Sequence, residues 1–333
     1  MTSRNKNFFS IALKCLLVAI CVFSASAKDA VFSGENYSIS LSYNDAACPG
    51  DAIFIRMRFA DTSKKPKHQA PPTTAIANLV LEDKNIASSA FYIISESSTR
   101  NRSIMLTGIP LSSWWTQGNY HITVVYSFEG GKNMEFNLPF AIISKTFNSE
   151  TIPLDQKNTA IKTDTSPQRM KQIDTLNTIL QTVDSEAVYQ DRPYTPPTTS
   201  TRRTSYFADR RVYAYTNGKS STSLHFGTDY GVPTGTTVTA CAAGKVVLAE
   251  NRVSTGWSVV IEHLPGLYSL YYHMSELSVK VDDQVKMGDK IGLSGATGLA
   301  TGPHLHWEMR LNMEAVNPDF FTGDFSFSGA TKN

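Results

Sequence analysis

His304 and His306 are separated by one residue in the run Thr301-Gly302-Pro303-His304-Leu305-His306-Trp307-Glu308. In a β-prone segment two such residues face the same way, because side chains alternate with period two. Neighbouring imidazoles on one face are costly unless they share a cation, and a divalent metal is the usual one. Five of the seven histidines lie between positions 225 and 306, so the chemistry belongs in that part of the chain. A second cluster, His225-Phe226-Gly227-Thr228-Asp229, puts a nitrogen and an oxygen donor four residues apart. They could share a helical face, although Gly227, Gly231 and Pro233 argue for an extended or turning segment. Histidine and aspartate suit zinc. With one histidine of the pair they make three protein ligands, the number a catalytic zinc site uses while it keeps one position open. The bland alternative is a polar loop and a strand carrying unrelated histidines.

Further pieces sit around these residues: Gly235-Thr236-Thr237-Val238-x-Ala240-x-x-x-Gly244, Tyr271-Tyr272-His273-Met274-Ser275, Gly288-Asp289-Lys290-Ile291-Gly292 and Gly295-x-Thr297-Gly298. Together with His225-x-x-x-Asp229 and the 301–308 run, in this order and spacing, residues from about 206 to 320 resemble the M23 family of zinc metallopeptidases. These are the LytM/lysostaphin-type endopeptidases that cut peptidoglycan cross-links. The resemblance covers about a third of the chain and stops short of its N-terminal part. It implies one zinc per chain held by His225, Asp229 and His306, with His304 and His273 as the catalytic histidines. It also implies an antiparallel β-sheet peptidase domain whose partners are the stem peptides and cross-bridges of peptidoglycan. His304 is then the better base, and His273 would hydrogen-bond the attacking water or the oxyanion.

Several residues in the same region invite other readings. Gly292-x-x-Gly295-x-x-Gly298 looks like a phosphate cradle, but no Lys-Ser/Thr pair follows it, so turns passing close to a groove are expected. The resemblance leads us to expect glycine at position 282; Asp282 stands there, and Asp tolerates the left-handed conformation. His263 is expected to be structural. Glu308 could hold a ligand histidine as an outer partner or pair with Arg310. The run Arg202, Arg203, Arg210 and Arg211 could attract an acidic polymer, although such runs are more often solvated surface.

The elements that must position these residues read as mainly β. Strands are expected at 236–240, 245–249, 257–263, 268–273, 290–293 and 304–311. Residues 28–145 show short alternating runs, such as 37–43 and 53–59, and a hairpin about Gly130-Gly131. They predict an immunoglobulin-like β-sandwich. His68 and His121 stand alone there, so the sandwich reads as a spacer or a docking unit for a protein partner. Residues 146–200 read as a linker. Ser166-Pro167 starts one amphipathic helix with a stripe of Met170, Ile173, Leu176, Leu180 and Val183, and a stiff Pro/Thr stretch follows it at 191–200. The peptidase domain is set at 201–322 and a tail at 323–333. With so long a connection, the N-terminal sandwich or the helix near 166–190 could also cover the groove in a resting state.

Residues 1–27 read as a signal peptide, with Arg4 and Lys6, an apolar core, and Ala25-Ser26-Ala27 as cleavage site. The core is broken by Ser10 and Lys14 and is short for a membrane span. Ile20 stands where lipidation of Cys21 would need a small residue. Export to a periplasm or cell envelope is therefore expected, with secretion as the alternative, and no membrane span in the mature chain. The formal charge of +2 leaves no basic footprint for nucleic acid. Cys48 and Cys241 fall in different domains and form no CxxC pair, so a cysteine metal site is excluded. The function expected is an exported zinc-dependent endopeptidase of peptidoglycan. A non-catalytic M23-like regulator or binding protein of a cell-wall hydrolase is the alternative, and an adhesin or scaffold stands last.

Overall fold

The computed structural model describes residues 27–63, 70–97, 102–191 and 193–323. The expected leader (Ala27 apart) and nearly all of the 323–333 tail lie outside those residues, as does His68. Among the described residues, no helix is long and apolar enough to cross a membrane.

The N-terminal part carries β1 (Ala27–Ser33), β2 (Tyr37–Asn44), β3 (Ala46–Ala47), β4 (Ala52–Asp61), β5 (Thr74–Leu81), β6 (Lys84–Ala90), β7 (Tyr92–Ser97), β8 (Arg102–Pro110), β9 (Tyr120–Ser127), β10 (Met134–Pro139) and β11 (Ala141–Ile142). Two antiparallel sheets, ordered β1-β2-β4-β8-β7 and β10-β9-β5-β6, face each other as a β-sandwich. The alternation legible in sequence is what seals it. Ile39 and Leu41 of β2 and Ile53, Ile55, Met57 and Phe59 of β4 meet Ala77 and Leu79 of β5 and Ile122 and Val124 of β9 in one core. The 130–131 turn closes the β9–β10 hairpin as expected, with Gly130 at φ 65°, a conformation glycine adopts without a Cβ clash.

Next comes a connector of β12 (Ser149–Pro153), α1 (Gln156–Thr163) and α2 (Pro167–Gln181). Ser166 caps α2 through its side chain, with Pro167 in the first turn, as the sequence predicts. The stripe is only partly used. Leu180 is buried, and Leu176 and Ile179 pack beside it on Leu248, Val260, Tyr268, Leu270 and Tyr272. Met170 and Val183, at the stripe's two ends, are 45% and 57% exposed. The helix lies on a sheet that it outreaches. Helix α1, capped by Asp155, is an element the sequence reading did not anticipate. Truncation of Leu180 to alanine is expected to destabilise the chain by about 2–5 kcal/mol, the range for a buried leucine. Urea unfolding would measure it.

The 191–200 stretch is extended, yet it is no free spacer. Tyr194 is buried against His263 and Phe321, Thr195 N–H donates to the Cys241 carbonyl and Thr239 N–H to the Pro197 carbonyl. The C-terminal part follows with β13 (Arg203–Ser205), β14 (Arg210–Ala214), β15 (Ser220–Leu224), β16 (Gly227–Tyr230), β17 (Thr237–Thr239), β18 (Gly244–Arg252), β19 (Gly256–Leu264), β20 (Leu267–Met274), β21 (Glu276–Leu277), β22 (Gln284–Val285), β23 (Lys290–Leu293), β24 (Leu305–Leu311), β25 (Glu314–Val316) and α3 (Pro318–Thr322). All six strands expected here are present within a few residues. The main sheet runs β13-β16-β24-β20-β19-β18-β22, with β25 beside β24.

That sheet has two unlike faces. Leu305, Trp307 and Met309 of β24 point into an apolar core with Tyr271, Val259 and Ile261. Their alternates, His306, Glu308 and Arg310, pair in register with Tyr272, Leu270 and Tyr268 of β20 on the other face. Helix α2 rests on this second face. The sandwich docks against the C-terminal part through Phe54, stacked near Phe320 and edge-on to Phe321, and through Asn317, which bonds Gly50 and Asp51.

His263 is structural, as expected. It is fully buried, its Nδ1–H donates to the Ala243 carbonyl at 2.8 Å, and Nε2 lies 2.7 Å from the Ser269 hydroxyl. Burial lowers its pKa to about 4. Between the ordinary value near 6.5 and about 4, the unfolded chain therefore binds a proton that the folded chain refuses. Stability is fully present above that window and is lost as pH falls through it, by on the order of 3 kcal/mol for this residue. Urea unfolding of the native chain and of His263→Gln at pH 7.5, 5.5 and 4.5 should show the shallower pH dependence in the variant. Cys48 and Cys241 are free thiols; burial first of all pushes the Cys241 pKa up to about 11, which makes it inert.

Candidate metal centre

His225 and Asp229 are brought to His306 by the pairing of β16 with β24, where Asp229 stands opposite His306. The segment is extended rather than helical, and Gly227 is why it can lie so close. A Cβ at Gly227 would sit 2.3 Å from the Trp307 carbonyl oxygen and 2.8 Å from His306 Nε2. Three donor atoms then converge. His225 Nε2 is 3.1 Å from Asp229 Oδ1 and 3.0 Å from His306 Nδ1, and His306 Nδ1 is 2.9 Å from Asp229 Oδ1. All three residues are buried, and they form a cluster able to hold a metal among the described residues.

Their outer partners decide what the converging atoms can be. His225 Nδ1–H donates to the Tyr206 carbonyl at 2.8 Å, so in the neutral ring Nε2 carries a lone pair. His306 Nε2 faces Glu308 Oε2 at 3.3 Å, so Nδ1 is the lone-pair atom when the ring is neutral. Two ring lone pairs and a carboxylate oxygen within hydrogen-bond distance need one positive charge between them. Without a metal the charge is a proton. Burial alone would lower the His306 pKa, but hydrogen bonds to Asp229 and Glu308 outweigh it and raise the value to about 9. A tetrahedral ion with bonds of about 2.0–2.1 Å sets its ligands about 3.3 Å apart, a small opening of the triangle seen here. The nitrogen, nitrogen and oxygen set fits zinc.

The other two histidines stand on the rim. His304 makes an isolated bridge to Gly295 just before β24; its Nδ1–H donates to the Gly302 carbonyl at 2.8 Å, and Nε2 lies 3.9 Å from Asp229 Oδ1. Its ring is 4.6 Å from that of His273. By strand alternation His273 would point away from Tyr272 and hence from the site. It does not, because it sits at φ 60°, and the turn swings its ring to within 6.2 Å of His306. Its Nδ1–H donates to the Thr297 carbonyl at 2.8 Å. Burial, then the neighbouring His304 and His306, lowers its pKa to about 3. The structure thus gathers all five sequence-derived residues.

The glycine run is turn chemistry. A Cβ at Gly298, which has φ 74°, would meet Gly256 N at 2.4 Å. Asp282 takes the left-handed place at φ 74°. Glu308 satisfies both readings at once, for it touches His306 and also accepts from Arg310 Nε. The arginine run is a correction in three of its four members: Arg203, Arg210 and Arg211 are partly buried, and only Arg202 is exposed. Arg203 pairs with Asp319 and covers the Tyr230 ring, Arg210 lies over Trp114, and Arg202 bonds the Gly231 carbonyl. Arg211 reaches Asp229 and Glu150. Sequence reasoning missed Tyr272 as well, whose ring stacks on His306 at 5.4 Å; its place two residues after Leu270 on the same strand face was the available signal.

Residues 223–318 match the sequence profile described as Peptidase family M23. This segment is an M23 peptidase domain. All five residues above, His225, Asp229, His273, His304 and His306, fall inside it. Among curated proteins, the chain is 43% identical over 95 residues to DD-carboxypeptidase/endopeptidase Mpg of Neisseria meningitidis, covering 28% of this chain and 22% of that one. It is 40% identical over 116 residues to peptidoglycan DD-endopeptidase ShyA of Vibrio cholerae, covering 35% and 26%. An uncharacterized metalloprotease of Buchnera aphidicola is 41% identical over 96 residues, covering 29% and 26%. The chain thus matches about a quarter of the length of these relatives. Beyond the M23 domain, a crystal structure of an M23 peptidase from Pseudomonas aeruginosa is similar in fold over 84% of this chain and 96% of its own, with TM-score 0.53 and 22% identity.

Proposed function

We propose that this chain is an exported zinc-dependent endopeptidase that hydrolyses the peptide cross-links of bacterial peptidoglycan, acting in the periplasm or cell envelope. The observation that carries the reading is the convergence of three buried donor atoms whose outer partners turn their lone pairs inward, beside two rim histidines with free Nε2 atoms. The relatives' names, DD-endopeptidase among them, point to the bond between D-alanine and a diamino acid.

His225 Nε2, Asp229 Oδ1 and His306 Nδ1 would hold the zinc, which when bound polarises a carbonyl and lowers the pKa of water. His304 works as general base: with Nδ1–H committed to Gly302, its Nε2 accepts the proton of the attacking water and returns it to the leaving amine. His273 has the same tautomer, fixed by Thr297, and burial keeps its ring neutral. An acceptor of that kind orients the water; it has no proton at Nε2 to give an oxyanion. Helix α2 occupies part of the same sheet face, so access for a cross-linked peptide depends on the connector.

The test is to incubate the purified chain, loaded with zinc, with defined cross-linked muropeptides and to identify products by mass spectrometry. New amino and carboxyl ends at a single peptide bond are expected. Intact substrate with a zinc-loaded, folded protein would leave the binding-protein reading instead.

A further inference from the structure

Asp229 divides its two carboxylate oxygens between two tasks. Oδ1 faces the nitrogens of His225 and His306, whereas Oδ2 accepts from Arg211 Nη2 at 3.2 Å. Arg211 is 10% exposed and its Nε donates to Glu150 Oε1 at 2.8 Å. Glu150 comes from β12, which lies parallel to β14 with Glu150 opposite Arg211. A chain of charge-assisted bonds therefore runs from the connector into the ligand cluster.

Resting on the zinc reading above, we propose that Arg211 is a positioning residue, braced by Glu150, that holds Asp229 so that Oδ1 alone is offered to the metal. The physical case is geometric. A carboxylate free to rotate can present both oxygens, and the second would take the coordination position that a catalytic site leaves open. A guanidinium suits the restraint, since its planar fork fixes two carboxylates in one plane and stays charged. The arrangement also makes β12 a working part of the site, although it precedes the M23 domain by some seventy residues. A fragment starting near residue 200 would keep every ligand and lose the brace.

The experiment uses the full chain and reads zinc affinity by competition with a chromophoric chelator, alongside thermal unfolding of the metal-free protein. Arg211→Gln is expected to weaken zinc binding about 10–100-fold, the usual effect of losing an outer partner of a ligand, and Arg211→Lys to recover part of it. Glu150→Gln, at a half-exposed position that folding tolerates, should weaken binding severalfold without moving the unfolding temperature of the metal-free protein. If Arg211→Gln folds and Glu150→Gln folds, and both bind zinc as the native chain does, the inference is wrong while the peptidase reading stands. If Arg211→Gln does not fold, Glu150→Gln decides alone. A native chain that binds no zinc would overturn both.

Discussion

Replacing His306 by alanine is expected to strip the chain of zinc and to bring muropeptide hydrolysis down to background. The ring supplies one of three donor atoms, and no other nitrogen among the described residues stands within 3 Å of both Asp229 Oδ1 and His225 Nε2. Loss of a direct ligand should exceed the about 10–100-fold penalty of losing an outer partner. The remaining charges stay paired, Glu308 with Arg310 and Asp229 with Arg211, so the variant should still fold. His225→Ala should behave in the same way. Metal content after gel filtration, read together with far-ultraviolet circular dichroism, checks the result. A folded His306→Ala protein that keeps one zinc per chain would remove His306 from the ligand set.

His304→Ala should separate from these two. Its imidazole bonds only the Gly302 carbonyl and lies 3.9 Å from the nearest ligand oxygen, so zinc content should stay at the native level. Turnover should fall about 10²–10⁴-fold, the worth of a placed general base, with little change in KM. Steady-state kinetics on a cross-linked muropeptide would show it. Should His304→Ala keep native turnover while His273→Ala loses it, the base would be His273, which carries the same tautomer on the same rim.

The donor residues were legible in the sequence because they come as two close pairs, one of which obeys strand alternation, whereas His273, which breaks that alternation, was marked only by the family resemblance. His304 and His306 sit one residue apart, and His225 and Asp229 flank a glycine. The sandwich was legible by alternation, through runs such as 37–43 and 53–59. What stayed hidden was set by contacts distant in sequence. Glu150 carries no local sign of its bond to Arg211, because only the parallel pairing of β12 with β14 creates it. The four arginines looked like surface because charge runs usually are, and Arg202 is, whereas ring faces or carboxylates wait for Arg203, Arg210 and Arg211. The 191–200 stretch had the composition of a spacer, yet Tyr194 anchors it in the core, an effect of tertiary packing that composition does not encode.

His273 sits in the left-handed region at φ 60°, where a side chain with a Cβ is held against its preference, at roughly 1–3 kcal/mol for such strained positions. Asparagine or glycine would relax the backbone there and leave the surrounding sheet intact. On the proposed function, the position therefore keeps a record of use. Over generations, a lineage still dependent on the reaction must retain histidine at a standing loss of stability, while one that has abandoned it gains by drifting to a smaller residue. Sampling position 273 across descendants of this chain would date the retirement of the activity before any ligand is lost.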